Sequence, residues 1–159
     1  MSIEPTATMN HVIPINYHTF FLQEANGKFI DWDSDPLREN GSIISADYLA
    51  QGDKYLCIMS PGHTLRARIE VQRWEVEPPL EAANWEKYAD ASIMLPSGSI
   101  AIDTFMGGGG SQSLAIGQPG GNFHARVYVR GRTHVKELLG NFRSSEVLED
   151  YLAQFWPLA

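Results

Sequence analysis

The chain has 159 residues, of which 43% are hydrophobic and 19% charged, so it can bury one core without staples and is not composed like a disordered chain. Its formal net charge is −7, which disfavours nonspecific contact with nucleic acid or an anionic membrane and suits a basic protein partner. A single cysteine, Cys57, excludes a disulfide framework within the chain and fits a reducing compartment. The opening MSIEPTATMNHV has no basic region followed by an apolar run. No stretch approaches the roughly 18 apolar residues of a membrane helix. The expectation is a cytoplasmic protein of bacterial type.

Residues 1–10 are polar and read as a flexible tail, followed by a single domain over 11–159. In HVIPINYHTFFLQ, Val12, Ile13, Ile15, Tyr17, Phe20 and Phe21 suit a strand, and Ala25-Asn26-Gly27 suits a turn. Pro14 cannot donate to a ladder, so that strand belongs on an edge or holds a bulge. DWDSDPLRENGS is a polar connection. KYLCIMS reads as a short buried strand, punctuated by Pro61-Gly62. TLRARIEVQRWEV alternates most clearly: Leu65, Ala67, Ile69 and Val71 point one way, and Arg66, Arg68, Glu70 and Gln72 the other. EPPLEAANWEKY starts with a proline stop and has room for a helical turn. ADASIMLPSGSIAIDTF reads as two strands joined at Pro96-Ser97-Gly98, and SLAI as another. In NFHARVYVRG, Phe123, Ala125, Val127 and Val129 alternate with His124, Arg126, Tyr128 and Arg130. At the end, Ser144 or Ser145 caps a helix over 144–156, with Glu146 near its positive end. Val147, Leu148, Tyr151, Leu152 and Phe155 share one face of it. The pattern predicts a mainly β protein: an antiparallel β-sandwich of about seven or eight strands with a C-terminal α-helix. Edge strands and the apolar face of that helix are compatible with a homodimer.

No stretch carries a strong catalytic motif. The run TFMGGGGSQ lacks the lysine of a phosphate loop, and a strand rather than a helix follows it, so it reads as a hairpin loop. Asp31-Trp32-Asp33-Ser34-Asp35 spaces three carboxylates at alternate positions. A standard calcium loop would need Gly at its sixth position and Glu at its twelfth, where the chain has Pro36 and Ser42. The stretch therefore reads as a solvated acidic loop anchored by Trp32, with a protein-facing acidic patch as the functional alternative. The five histidines form no ligand pair, so zinc is not expected. His18 reads as a structural histidine within a strand. Cys57 lies in an apolar strand, where a thiol is inert. Neither a cofactor, a metal nor a catalytic set is expected. Arg66, Arg68, Arg126 and Arg130 read as the outer faces of neighbouring strands, paired with Glu70 and Glu75. A stripe gripping an anionic ligand is the alternative.

Two patterns resemble a known family. INYHTFFLQ…FIDW (15–32) resembles the opening strand and Asp-Trp of the competence protein J family. A Trp, an Ala-Ser pair, a Ser-Gly turn, a Pro-Gly and an Arg-rich strand recur in small bacterial β-sandwich proteins of that type. Here they are NWEKYADASIMLPSGSIAI (84–102) and QPGGNFHARVYVRG (118–131). The resemblance implies a sandwich, and protein binding, since the family includes inhibitors of a bacterial DNA-entry nuclease. It supplies no catalytic residues.

The leading expectation is a non-enzymatic β-sandwich that inhibits or confers immunity against a basic nuclease or toxin. Asp31, Asp33 and Asp35 would be its charges and Trp32 its anchor. The alternative is a small-ligand or carbohydrate-binding module using Arg126 and Arg130, or an exposed strip of tryptophans.

Overall fold

A computed structural model describes residues 4–26, 43–104 and 113–158. Among the described residues there are eleven strands in two sheets. One sheet has five strands in the order β1 (Ala7–Ile15), β6 (Leu65–Arg73), β11 (Val147–Pro157), β10 (Gly121–Arg130), β7 (Lys87–Leu95). The other has six, in the order β3 (Ile43–Ala46), β4 (Leu49–Gln51), β5 (Tyr55–Met59), β2 (Thr19–Glu24), β8 (Ser99–Thr104), β9 (Ser113–Ala115). The facing sides share one core. Ile13, Ile69, Val127 and Phe155 come from the first sheet, and Phe20, Leu22, Ile58 and Ile102 from the second. Phe20 meets Tyr151 edge to face across the sandwich at 5.1 Å. Tyr48 reaches from the β3–β4 turn to donate to the Val127 carbonyl at 2.7 Å. Among the described residues no helix is long and apolar enough to cross a membrane.

The alternation read in β6 is present: Leu65, Ala67, Ile69 and Val71 are buried, and Arg66 and Arg68 are exposed. β1 is an edge strand, as Pro14 requires. It begins earlier than expected, because residues 7–10 pair with β6 instead of forming a tail. Tyr17 and His18 are not in a strand either. Both are left-handed, at φ 55 and 65, in the turn that carries the chain from one sheet to the other.

The largest correction concerns the C-terminus. Residues 147–157 form a strand where a helix was expected. β11 is the middle strand of its sheet, antiparallel to β10 and parallel to β6. Both of its faces are covered, so Tyr151, Leu152, Ala153 and Phe155 are all buried. A strand buried on both sides shows no alternation, and its apolar spacing imitates a helix.

The one α-helix among the described residues lies upstream, at α1 (Arg132–Leu138). No local side chain caps it. Glu86, far away in sequence, does so: its carboxylate accepts the Arg132 and Thr133 amides at 3.1 and 3.0 Å, together with the Thr133 hydroxyl. Those bonds hold Glu86 below the usual carboxylate range against the opposing effect of burial. Gly131 precedes the helix at φ +99, and a Cβ there would strike the Leu148 carbonyl, so only glycine fits.

Candidate functional site

Strand order determines what covers the outer face of the five-stranded sheet. β6 and β7 are consecutive in sequence, yet β11 and β10 lie between them. The connection, residues 74–86, must therefore cross two strands. It is tied at both ends, by the Trp74 amide to the Phe155 carbonyl at 2.8 Å and by the Glu86 amide to the Val129 carbonyl at 3.0 Å. Between these ties, β10 fastens this strap from below. Arg126 donates to the Pro78 carbonyl at 3.3 Å, and Arg130 to the Asn84 carbonyl at 3.3 Å. The Tyr128 hydroxyl accepts the Glu81 amide at 3.0 Å. A 3-10 turn at Ala82–Asn84 brings Trp85 down beside Tyr128.

Arg126 is the strongest of these fastenings. Its side chain is only 7% exposed. Its Nε lies 2.9 Å from Asp90 and its Nη2 3.5 Å from Glu77. Its guanidinium sits over the rings of Trp156 at 5.2 Å and Tyr88 at 5.9 Å. Burial opposes its charge, but the hydrogen bond and charge of Asp90, with Tyr128 and Glu77, together hold the group above its ordinary value. Arg126 is therefore occupied by the protein itself.

The strap leaves the β1 side of the sheet open. Trp85 forms the wall of a depression of about 410 Å3, with Arg68, Glu70, Arg130 and Asp150 on its floor and Asn10 and Val12 from β1 opposite. Asp150 lies between two arginines, 3.1 Å from Arg130 and 3.7 Å from Arg68. Arg130 also stacks on Trp85 at 4.5 Å. The arginines of β6 and β10 are thus not on neighbouring strands: β11 separates them, and its Asp150, rather than Glu70 or Glu75, pairs with Arg68 and Arg130.

A second polar cluster lies at the foot of α1. Arg132, 5% exposed, donates to the Met59 carbonyl at 2.5 Å, approaches Asp47 at 3.8 Å and lies over the Tyr48 ring. Glu149 is buried nearby and accepts the Tyr151 hydroxyl at 3.0 Å. Burial pushes its carboxyl up, and hydrogen bonds from Ser60 and Tyr151 and the Arg132 charge offset part of that. His18 and His63 lie 5.6 Å apart beyond this cluster, and the His63 Nδ1 accepts the Tyr17 amide at 2.6 Å. Among the described residues no three His, Cys, Asp or Glu side chains are grouped to hold a metal.

Of the residues singled out in the sequence, Asp31, Trp32, Asp33, Asp35 and the glycine run 107–110 lie outside the described residues. Arg130 lines the depression and Arg126 lies beneath the strap. Cys57 is buried in β5 beside Phe21 and Ala50. Trp74 and Trp156 are buried at 6% exposure each, which leaves Trp85 as the half-buried tryptophan of this face. The helix face that suggested a homodimer is the buried strand β11. The strap was missed as a feature, although EVEPPLEAANWE already mixes acids, prolines and apolar residues.

No protein-family model matches the sequence, and no curated protein matches it. Two solved structures share its fold over nearly the whole length. One is ComJ from Bacillus subtilis, inhibitor of the DNA degrading activity of NucA. It is 15% identical, with a TM-score of 0.56, covering 99% of this chain and 100% of ComJ. The other is the crocagin biosynthetic gene J protein. It is 14% identical, with a TM-score of 0.58, covering 96% of this chain and 98% of that one. At such identities the likeness is one of fold, and it agrees with the resemblance of residues 15–32 to the competence protein J family and of residues 84–102 and 118–131 to small bacterial β-sandwich proteins of that type.

Proposed function

We propose that this chain is a non-enzymatic, protein-binding β-sandwich that inhibits a basic nuclease or toxin. The observation that carries the reading is the end-to-end likeness of fold to ComJ, itself a nuclease inhibitor. The net charge of −7 supports it, because an acidic inhibitor competes with nucleic acid for the basic cleft that would hold phosphates. Asp31, Asp33 and Asp35 supply charge in this reading and Trp32 supplies an apolar anchor.

The test is affinity capture by the tagged, folded chain from lysate of its own source, eluted by stepping up salt. The captured protein is then assayed for DNA degradation with and without the chain. A basic protein that leaves at moderate salt and loses its activity when the chain is added is the expected result. Retention of no specific protein, or retention without any effect on activity, would refute the reading.

A further inference from the structure

We infer that the strap over residues 74–86 is the surface through which this chain docks its basic protein partner. The inference rests on the inhibitor reading and adds to the Asp31, Trp32, Asp33 and Asp35 contacts of that reading a surface among the described residues.

Three observations converge on the strap. The first is exposed apolar surface. Val76 is 45% exposed, Leu80 56% and Tyr88, where the strap enters β7, 42%. They are three of the seven large hydrophobic side chains exposed among the described residues. Exposed apolar side chains rimmed by polar residues mark interaction sites, and these three lie along one short stretch of chain, 76–88. The second is charge. Glu75, Glu77 and Glu81 lie on the strap, Glu86 at its end caps α1, and Asp90 follows on β7, against Lys87 on the strand and Arg126 and Arg130 beneath. The surface is therefore negative with an apolar centre, complementary to a basic partner that carries an apolar contact of its own.

The third is rigidity. The strap has little regular secondary structure, yet β10 fastens it at Pro78, Glu81 and Asn84 and backbone bonds tie both ends. Pro78 and Pro79 fix their own backbone angles and hold Glu77 and Pro78 extended. A segment ordered before binding loses little freedom when a partner arrives. Arg126 has a consequence here. It pairs with two of the exposed carboxylates, Glu77 and Asp90, and leaves the exposed Glu75 and Glu81 to face the partner.

The test compares three forms of the full chain against the protein captured in the salt-step experiment, repurified, with dissociation measured at two salt concentrations. One is wild type. The second carries Val76→Ser, Leu80→Ser, Glu75→Gln and Glu81→Gln, all at exposed positions whose side chains do not fasten the strap. The third carries Asp31→Asn, Asp33→Asn and Asp35→Asn. Circular dichroism and thermal unfolding establish that each is folded. The strap variant is expected to bind at least about tenfold more weakly, with a flatter salt dependence. If it binds as wild type does, the strap is not the docking surface, whatever the aspartate variant does, and the inhibitor reading stands. If wild type captures nothing, the inhibitor reading itself falls and the strap inference with it.

Discussion

Two arginines among the described residues are almost withdrawn from water, and they do different work. Arg126 lies under the strap, 6% exposed, and Arg132 lies at the foot of α1, 5% exposed. The partners of Arg126 are on the outside. Asp90 and Glu77 are 60% and 67% exposed, so either would return to water if the arginine were lost. Arg132 sits beside Glu149, a carboxyl 1% exposed, which has no such escape. The cost of removing a buried cation depends less on its own burial than on where its partners go afterwards. Arg126 reads as a clamp on a surface element, and Arg132 as part of the core.

The sharpest way to break this distinction is Arg132→Ala. It leaves the Met59 carbonyl unpaired and Glu149 without its nearby positive charge. A loss of about 3–5 kcal/mol is expected in urea unfolding at neutral pH. A loss under about 1 kcal/mol would mean that water reaches Glu149 and that the two arginines are equivalent. The same site has a pH signature. The folded Glu149 titrates above its ordinary value of 4.5, so it keeps a proton over a range where the unfolded chain has released one. Its contribution is fully present below about the unfolded value and is lost as pH rises through the folded value. Wild type should therefore gain stability relative to Glu149→Gln as pH falls through the folded value towards 4.5. Parallel curves for the two proteins would contradict the assignment.

Much of this contrast was invisible in the sequence, for physical reasons. The strands that alternate were legible because one face of each meets the core: β6 with Leu65, Ala67, Ile69 and Val71, and β10 with Phe123, Ala125, Val127 and Val129. β11 was not, because Leu152 and Trp156 on its outer face are buried as well as Tyr151 and Phe155 on its inner face. α1 was missed because its cap comes from Glu86 rather than from the residue preceding it. The strap was read as a loop with one turn, and that local reading holds. Its importance depends on strand order, which periodicity does not report.

Arg126→Ala tests the clamp. The Pro78 carbonyl and two aromatic faces lose their cation, but Asp90 and Glu77 are rehydrated. A loss of about 2 kcal/mol is expected, with new protease cleavage within 74–86 while the sheets remain intact. Tyr128→Phe removes the hydroxyl that accepts the Glu81 amide and should give a milder version, about 1 kcal/mol. Global unfolding with no prior nicking of the strap would show that Arg126 belongs to the core as Arg132 does.

The smallest effect belongs to Lys87. It bonds Asp47 at 2.9 Å, with both side chains substantially exposed, and Asp47 also lies 3.8 Å from Arg132. The Lys87 hydrogen bond is the main cause holding the Asp47 carboxyl below its ordinary value. That contribution is present above about the unfolded value of 3.8 and disappears as pH falls through the folded one, opposite in sense to Glu149. An exposed pair is worth little, so Lys87→Met should cost about 0.5 kcal/mol at neutral pH and less in high salt. Two carboxyls near one arginine thus respond in opposite directions, one open to water and one sealed from it. A cost above about 1 kcal/mol that resists salt would place Asp47 inside the buried network and move the boundary between core and surface outward past Lys87.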